Sequence, residues 1–229
     1  MRKKTKIILI VVILLIFAGL FYYEEHRLLP TSSHILADNE YGTVEKDVYG
    51  NASSNTTIAL ITGIHPRETL SIDPEIQAAK EWAAEHPDMK IINYKVTVTK
   101  DPDDYKKGRA NGESLVHNFV NPDIMSSDID CVIISHSHIA GYGEGFYLAT
   151  PEMDNASVEI AEKIDNASDF NYYHTTGNET YKSTSAVLVS RPLAQAGYPT
   201  FVYEIPEDIT EWDSTGKTKE LFDLFVRFI

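Results

Sequence analysis

Short runs of β-branched and apolar residues recur along this chain with helix-patterned segments between them, and no other feature restricts its fold as strongly. "TIALITG" from Thr57, "KIINYKVTVT" from Lys90, "DCVIIS" from Asp130, "GEGFYLAT" from Gly143 and "PTFVYEI" from Pro199 read as five strands. "DPEIQAAKEWAAEH" reads as a helix with Asp73 or Ser71 as its cap and Pro74 in its first turn. "SVEIAEKID" and "SAVLVSRPLAQAG" also have helical patterns, and "KTKELFDLFVRFI" closes the chain as an amphipathic helix. Strands interleaved with helices predict a single α/β domain: a central mixed, largely parallel sheet flanked by helices on both faces. At 229 residues the chain can bury one substantial core, but not two once its ends are set aside.

The amino terminus has a different character. "MRKKTK" holds four basic residues and no acidic one, and it runs into "IILIVVILLIFAGLFYY", which carries no charge from Ile7 to Tyr23. A basic start followed by an apolar stretch is either a cleaved signal peptide or a retained anchor. Retention is favoured: the stretch is long for a signal core, lacks a clear A-x-A site, and ends on Tyr22 and Tyr23, where an aromatic belt would lie. Residues 1–23 are therefore expected to form a transmembrane signal-anchor with its amino terminus in the cytoplasm. Residues 24–56 are polar and show no sustained period, so they read as an extracytoplasmic stalk. The folded domain is then expected over residues 57–229.

All 34 acidic residues follow the apolar stretch and four of the 20 basic ones precede it, so the remainder carries 16 minus 34, or −18. That charge excludes nucleic acid as a natural partner. Cys131 is the only cysteine, so no intramolecular disulfide can form, and its place in "CVIIS" marks it as a buried small hydrophobe. N-x-S/T triplets at Asn51, Asn55, Asn155, Asn166 and Asn178 are consistent with an exported, glycosylated surface.

Three strand ends carry the residues that can do chemistry. His65 and Glu68 stand three apart just beyond "TIALITG", where open α/β sheets place their ligands. They offer one nitrogen and one carboxylate, half of a catalytic zinc shell. His136 and His138 follow the apolar run of "CVIIS"; residues two apart on a strand point the same way, and His136 is the closer to the strand end. Glu204 ends "TFVYE" in the same manner. A zinc held by two histidines and one carboxylate keeps an open position for water and needs a neighbouring base, which Glu204 would supply. Residues 101–127, rich in Asp, Pro, Gly and Asn, read as a long surface loop.

With "HPRE", "ISHSH" and "YEIPE" at those places, the sequence resembles the zinc carboxypeptidases and the related aspartoacylase and succinylglutamate desuccinylase group over roughly residues 57–229. The interval from His136 to Glu204 is similar to the family's, whereas that from Glu68 to His136 is short, which implies a trimmed domain. "YKKGRANGESLVHNF" resembles the family stretch R-x-N-x-N-G-x-D-L-N-R-N-F and sets Arg109 where the family has its oxyanion-stabilising arginine. It departs from that stretch at Val116 and His117, which replace the Asn-Arg clamp for a substrate carboxylate. The family's mobile tyrosine corresponds in offset to Tyr181, with Tyr172 and Tyr173 as rivals.

The resemblance implies one zinc ion on His65, Glu68 and His136, with Glu204 activating water and later protonating the leaving amine, and Arg109 stabilising the oxyanion. His117, Tyr181 and His138 are the substrate-binding candidates. The expected function is that of a membrane-anchored extracytoplasmic hydrolase of amide bonds acting on peptides. An N-acyl amino acid deacylase and a non-catalytic binding module are the alternatives.

Overall fold

A computed structural model describes residues 3–173 and 183–229, and within the first helix the side chains of 7–19 and 21. Helix α1 (Lys3–Arg27) leads into β1 (Ser32–Asn39), β2 (Gly42–Gly50), β3 (Thr57–Thr62), α2 (Asp73–Glu85) and β4 (Lys90–Val98). Helix α3 (Tyr105–Leu115) then passes through a π turn (Val116–Val120) into α4 (Asn121–Met125). There follow β5 (Cys131–His138), β6 (Tyr147–Ala149), α5 (Asn155–Ala167) and β7 (Asn171–Tyr173). A second π turn (Ala186–Ser190) opens α6 (Arg191–Gln195), and β8 (Thr200–Pro206) and α7 (Glu211–Phe228) close the chain.

The strands form one sheet in the order β1-β2-β4-β3-β5-β8-β6-β7. Its centre, β4-β3-β5-β8, is parallel; β2 runs antiparallel to β4, and β6 antiparallel to β8. The apolar runs are continuous because both faces of the central strands are covered. Ile58 and Leu60 of β3 point to one core with Trp82, Ile160, Phe222 and Phe225 from α2, α5 and α7. Ala59 and Ile61 point to the other with Leu115, Ile124 and Leu193 from α3, α4 and α6. Cys131 is fully buried, and burial pushes its thiol up, as expected of a packing residue.

Two expectations are corrected. Residues 32–50, expected within a stalk, form the β1–β2 hairpin, and β2 pairs along its whole length with β4 from Gly42↔Val98 to Gly50↔Lys90. Its run Glu45-Lys46-Asp47 hides the strand, since near the sheet edge such charges are half-buried rather than excluded. Lys46 Nζ lies 2.5 Å from Asp123 Oδ2, the oxygen that also accepts from the Tyr94 hydroxyl at 2.7 Å. Residues 101–127, expected as a loop, are mostly helical: Asp104 Oδ1 caps α3 by accepting from the Lys106 and Lys107 amides. The glycines that read as loop punctuation serve packing. A Cβ on Gly112 would lie 1.8 Å from Ile64 O, so α3 crosses the end of β3 at backbone contact.

Helix α1 exposes apolar side chains all round: Ile7 to Phe17 and Phe21 are 43–67 % exposed. Among the described residues no helix is long and apolar enough to cross a membrane, so the expected transmembrane helix is not met there. The described side chains from Ile7 to Gly19 account for about 20 Å of helix against a hydrocarbon core of roughly 30 Å.

Glu75, in the first turn of α2, is fully buried where α2 meets α7. Burial raises its carboxyl to about 8, only partly offset by the hydroxyls of Thr218 and Ser135. The folded state therefore keeps a proton that the unfolded chain releases near pH 4.5, and this group's contribution to stability is lost as pH rises towards 8. Glu75→Gln should remove that loss, so that the thermal midpoint falls between pH 5 and pH 8.5 by on the order of 10 °C less than in the wild type. Equal falls in both proteins, measured by circular dichroism, would contradict it.

Candidate metal centre and cleft

Parallel pairing brings three strand ends to one rim. Ile61 of β3 is level with Ile134 of β5, and His136 of β5 is level with Glu204 of β8. The chain leaves β3 through Gly63, then folds tightly enough for the Glu68 amide to donate to His65 O at 3.1 Å. That turn places both side chains over the sheet end. His65 Nδ1 lies 2.9 Å from Glu68 Oε1, and His136 Nδ1 lies 2.9 Å from Glu68 Oε2. Among the described residues, His65, Glu68 and His136 are the group whose donor atoms, all within 4.8 Å of one another, can hold a metal ion.

Their surroundings fit such an ion. Burial alone would neutralise Glu68, but His136 and His65 outweigh it and hold the carboxyl well below its usual range. Both Nδ1 atoms face the same ionised carboxylate, which gives the two-nitrogen, one-carboxylate set of catalytic zinc sites. With Nδ1 directed inward, His65 Nε2 faces Glu113 Oε1 at 3.3 Å, an outer carboxylate of the kind that fixes the tautomer of a metal-bound histidine. Burial opposes charge on His65, while Glu113 and Glu68 favour it and prevail.

Glu204 stands beside this group with different electrostatics. Burial raises its carboxyl to about 7; Glu68 and Glu207 add to the rise, while His136 and Arg109 oppose it. Arg109 projects from α3 with Nη1 2.5 Å from Glu68 Oε1 and its guanidinium 5.3 Å from the centre of the Tyr105 ring. A cleft of about 520 Å³ opens over His65, Glu68, Arg109, His136 and Glu204.

The other expected site residues are placed differently. His138 lines the cleft, but its ring nitrogens face backbone carbonyls, Nδ1 3.2 Å from Ile139 O and Nε2 2.9 Å from Gly145 O. His117 is exposed and turned away from the cleft; its Nδ1 donates to Leu188 O at 3.0 Å, because the segment is helical and the π turn puts this residue on the outer face. Tyr181 lies outside the described residues. Of its rivals, Tyr172 is buried against the Thr150 hydroxyl at 2.6 Å, and Tyr173 lines the cleft. Glu113, only 2 % exposed, escaped the sequence reading. Its spacing of four from Arg109 puts the two on one helix face, a signal that needed residues 105–115 to be read as helix.

No family model matches the sequence, and no curated protein matches it. Solved structures do match the fold. A proposed carboxypeptidase from Burkholderia mallei ATCC 23344 superposes with TM-score 0.66 at 15% identity, covering 90% of this chain and 66% of that one. A metallo-carboxypeptidase from Burkholderia cenocepacia gives 0.60 at 14%, covering 86% and 64%. A metallo-carboxypeptidase from Pseudomonas aeruginosa, in complex with (2-guanidinoethylmercapto)succinic acid, gives 0.58 at 14%, covering 88% and 65%. At such identities the likeness is one of fold, and the chain spans just under two thirds of the length of each.

Metal analysis of the purified chain should find about one zinc per molecule, lost in His65→Ala. Glu113→Gln, which keeps every ligand, should weaken zinc affinity about 10- to 100-fold in a chelator competition. Unchanged affinity would remove Glu113 from the site.

Proposed function

We propose that this chain is a zinc-dependent hydrolase of amide bonds with carboxypeptidase-like chemistry, acting on peptides outside the cytoplasm from a membrane anchor. The convergence of His65, Glu68, His136 and Glu204 at adjoining strand ends carries this reading. The family resemblance of "HPRE", "ISHSH" and "YEIPE" and the shared fold support it.

A zinc ion on His65, Glu68 and His136 would supply a Lewis acid with a position left for water. Glu204 does the proton work. A carboxyl near 7 is divided between its two forms at neutral pH, so it can take a proton from water and return it to a leaving amine. Arg109 is the fixed cation in the same cleft, suited to the oxyanion that forms as the carbonyl is attacked. To reach a substrate it must exchange its contact with Glu68.

The anchor rests on α1. The stretch of α1 from Ile7 to Phe17, apolar on all sides, preceded by the basic "MRKKTK" and followed by uncharged residues to Tyr23, is suited to lipid rather than to water. An N-acyl amino acid deacylase remains the second reading, favoured by the short interval between Glu68 and His136; it uses the same residues on a smaller substrate.

Glu204→Gln should keep its zinc and lose about 100- to 10,000-fold in kcat/KM, measured on a panel of peptides and N-acyl amino acids that also separates the two substrate classes. Since the base acts ionised, wild-type kcat/KM should fall as pH drops through about 7, or lower once a bound cation adds to the pull of His136 and Arg109. A Glu204→Gln variant with full activity would refute the assignment. The full chain should stay with membranes after a carbonate wash, and a chain beginning at Thr31 should become soluble with its turnover kept; release of the full chain by carbonate would contradict anchoring.

A further inference from the structure

Between β5 and β6 the chain makes the loop "IAGYGEG", Ile139 to Gly145, which the proposed chemistry does not use. It folds back on itself: Ala140 bridges Gly143, and the Tyr142 amide donates to Ile139 O at 3.2 Å. Gly141 and Gly145 take φ of +87° and +58°, the left-handed region that glycine enters without strain. Gly143 lies flat on Tyr147, where a Cβ would stand 2.1 Å from the ring.

The two ends of the loop are tied together. His138 faces Ile139 O with one ring nitrogen and Gly145 O with the other, so a single side chain spans the neck. Asn171 Nδ2 adds a bond to Glu144 O at 2.6 Å. The tip is the opposite of the neck. Tyr142 is 70 % exposed and Ile139 67 %, although Tyr142 lines the cleft and its phenol lies within electrostatic reach of Glu204, Arg109 and Glu68. Tyr142, its ring centre 6.4 Å from that of His138 and otherwise largely open beside buried charged groups, stands on a glycine-rich loop with a fixed neck and has the form of a cover that gains further contacts from a ligand.

We propose that Ile139–Gly145 is a substrate-contacting flap, that Tyr142 covers the bound peptide next to Glu204, and that His138 is the positioning residue that holds the flap's two ends. This rests on the hydrolase reading and adds a specificity element to it. Tyr142 reaches the substrate, and His138 acts only through the loop.

The test uses the zinc-loaded full chain, with hydrolysis of an N-acyl dipeptide and calorimetric binding of its non-hydrolysable phosphonate analogue as readouts. Tyr142→Ala should raise KM and the analogue's Kd together by about 10-fold or more, with kcat and zinc content little changed. Tyr142→Phe divides that loss between ring and hydroxyl, and a loss in either supports the contact. His138→Ala should show the same KM and Kd increase and add nothing in a Tyr142→Ala background, whereas His138→Gln, which keeps an N–H for one carbonyl, should recover part of the affinity. A wild type that cleaves and binds, beside a Tyr142→Ala protein matching it within about twofold in both readouts, overturns the flap. Additive losses in the double variant overturn the role of His138. A wild type that neither binds the analogue nor cleaves any peptide defeats the hydrolase reading itself, and the flap falls with it.

Discussion

One carboxylate organises the functional end of this molecule. Glu68 meets His65 with one oxygen and His136 with the other, and Arg109 shares the first. Its partners come from three separate pieces of chain: the turn after β3, the end of β5 and the face of α3. An ionised carboxylate that is nearly buried has to be matched by donors on every side, or the desolvation of its charge is uncompensated. The geometry of the rim is therefore over-determined even before a metal is considered. The same charge and the same two imidazoles could hold a metal ion.

That rim contains two carboxylates with opposite tendencies. Glu68 is held ionised by His136 and His65, while Glu204, one strand away and level with His136, is pushed up to about 7 by burial with Glu68 as a neighbouring negative charge. Environments that drive two acids apart in this way leave one ionised and the other close to half-protonated at neutral pH. The difference follows from placement, since both side chains are the same chemical group.

The opposite wall departs most from the carboxypeptidase pattern. The π turn Val116–Val120 packs against the π turn Ala186–Ser190, with His117 Nδ1 and Asn121 Nδ2 both donating to Leu188 O. π turns interrupt a helix at the expense of regular geometry and are frequent at functional sites. Here the first of them carries His117 on the outer face, and Ser185 and Ser190 line the cleft, so among the described residues this wall presents hydroxyls, in keeping with Val116 and His117 standing where the family has its Asn-Arg clamp.

What was legible in the sequence had a local physical cause. β3 and β5 are strongly apolar because both of their faces are covered, so their ends, and with them His65, Glu68 and His136, could be located from the local pattern, as could Glu204 after the apolar start of β8. Helix α2 was equally plain from its period and its early proline, although Ile72, not Asp73 or Ser71, precedes it and caps it without a side-chain bond. The hairpin β1–β2 was hidden by Glu45, Lys46 and Asp47, whose partners lie far away in the chain, and α3 by glycines that are present for the close approach to Ile64. Local pattern thus determined the α/β class and the strand ends that carry chemistry. The outer position of His117 and the hidden carboxylate of Glu113 were decided by tertiary structure alone, because each depends on which distant backbone or charge a side chain meets once strands are paired and helices are packed.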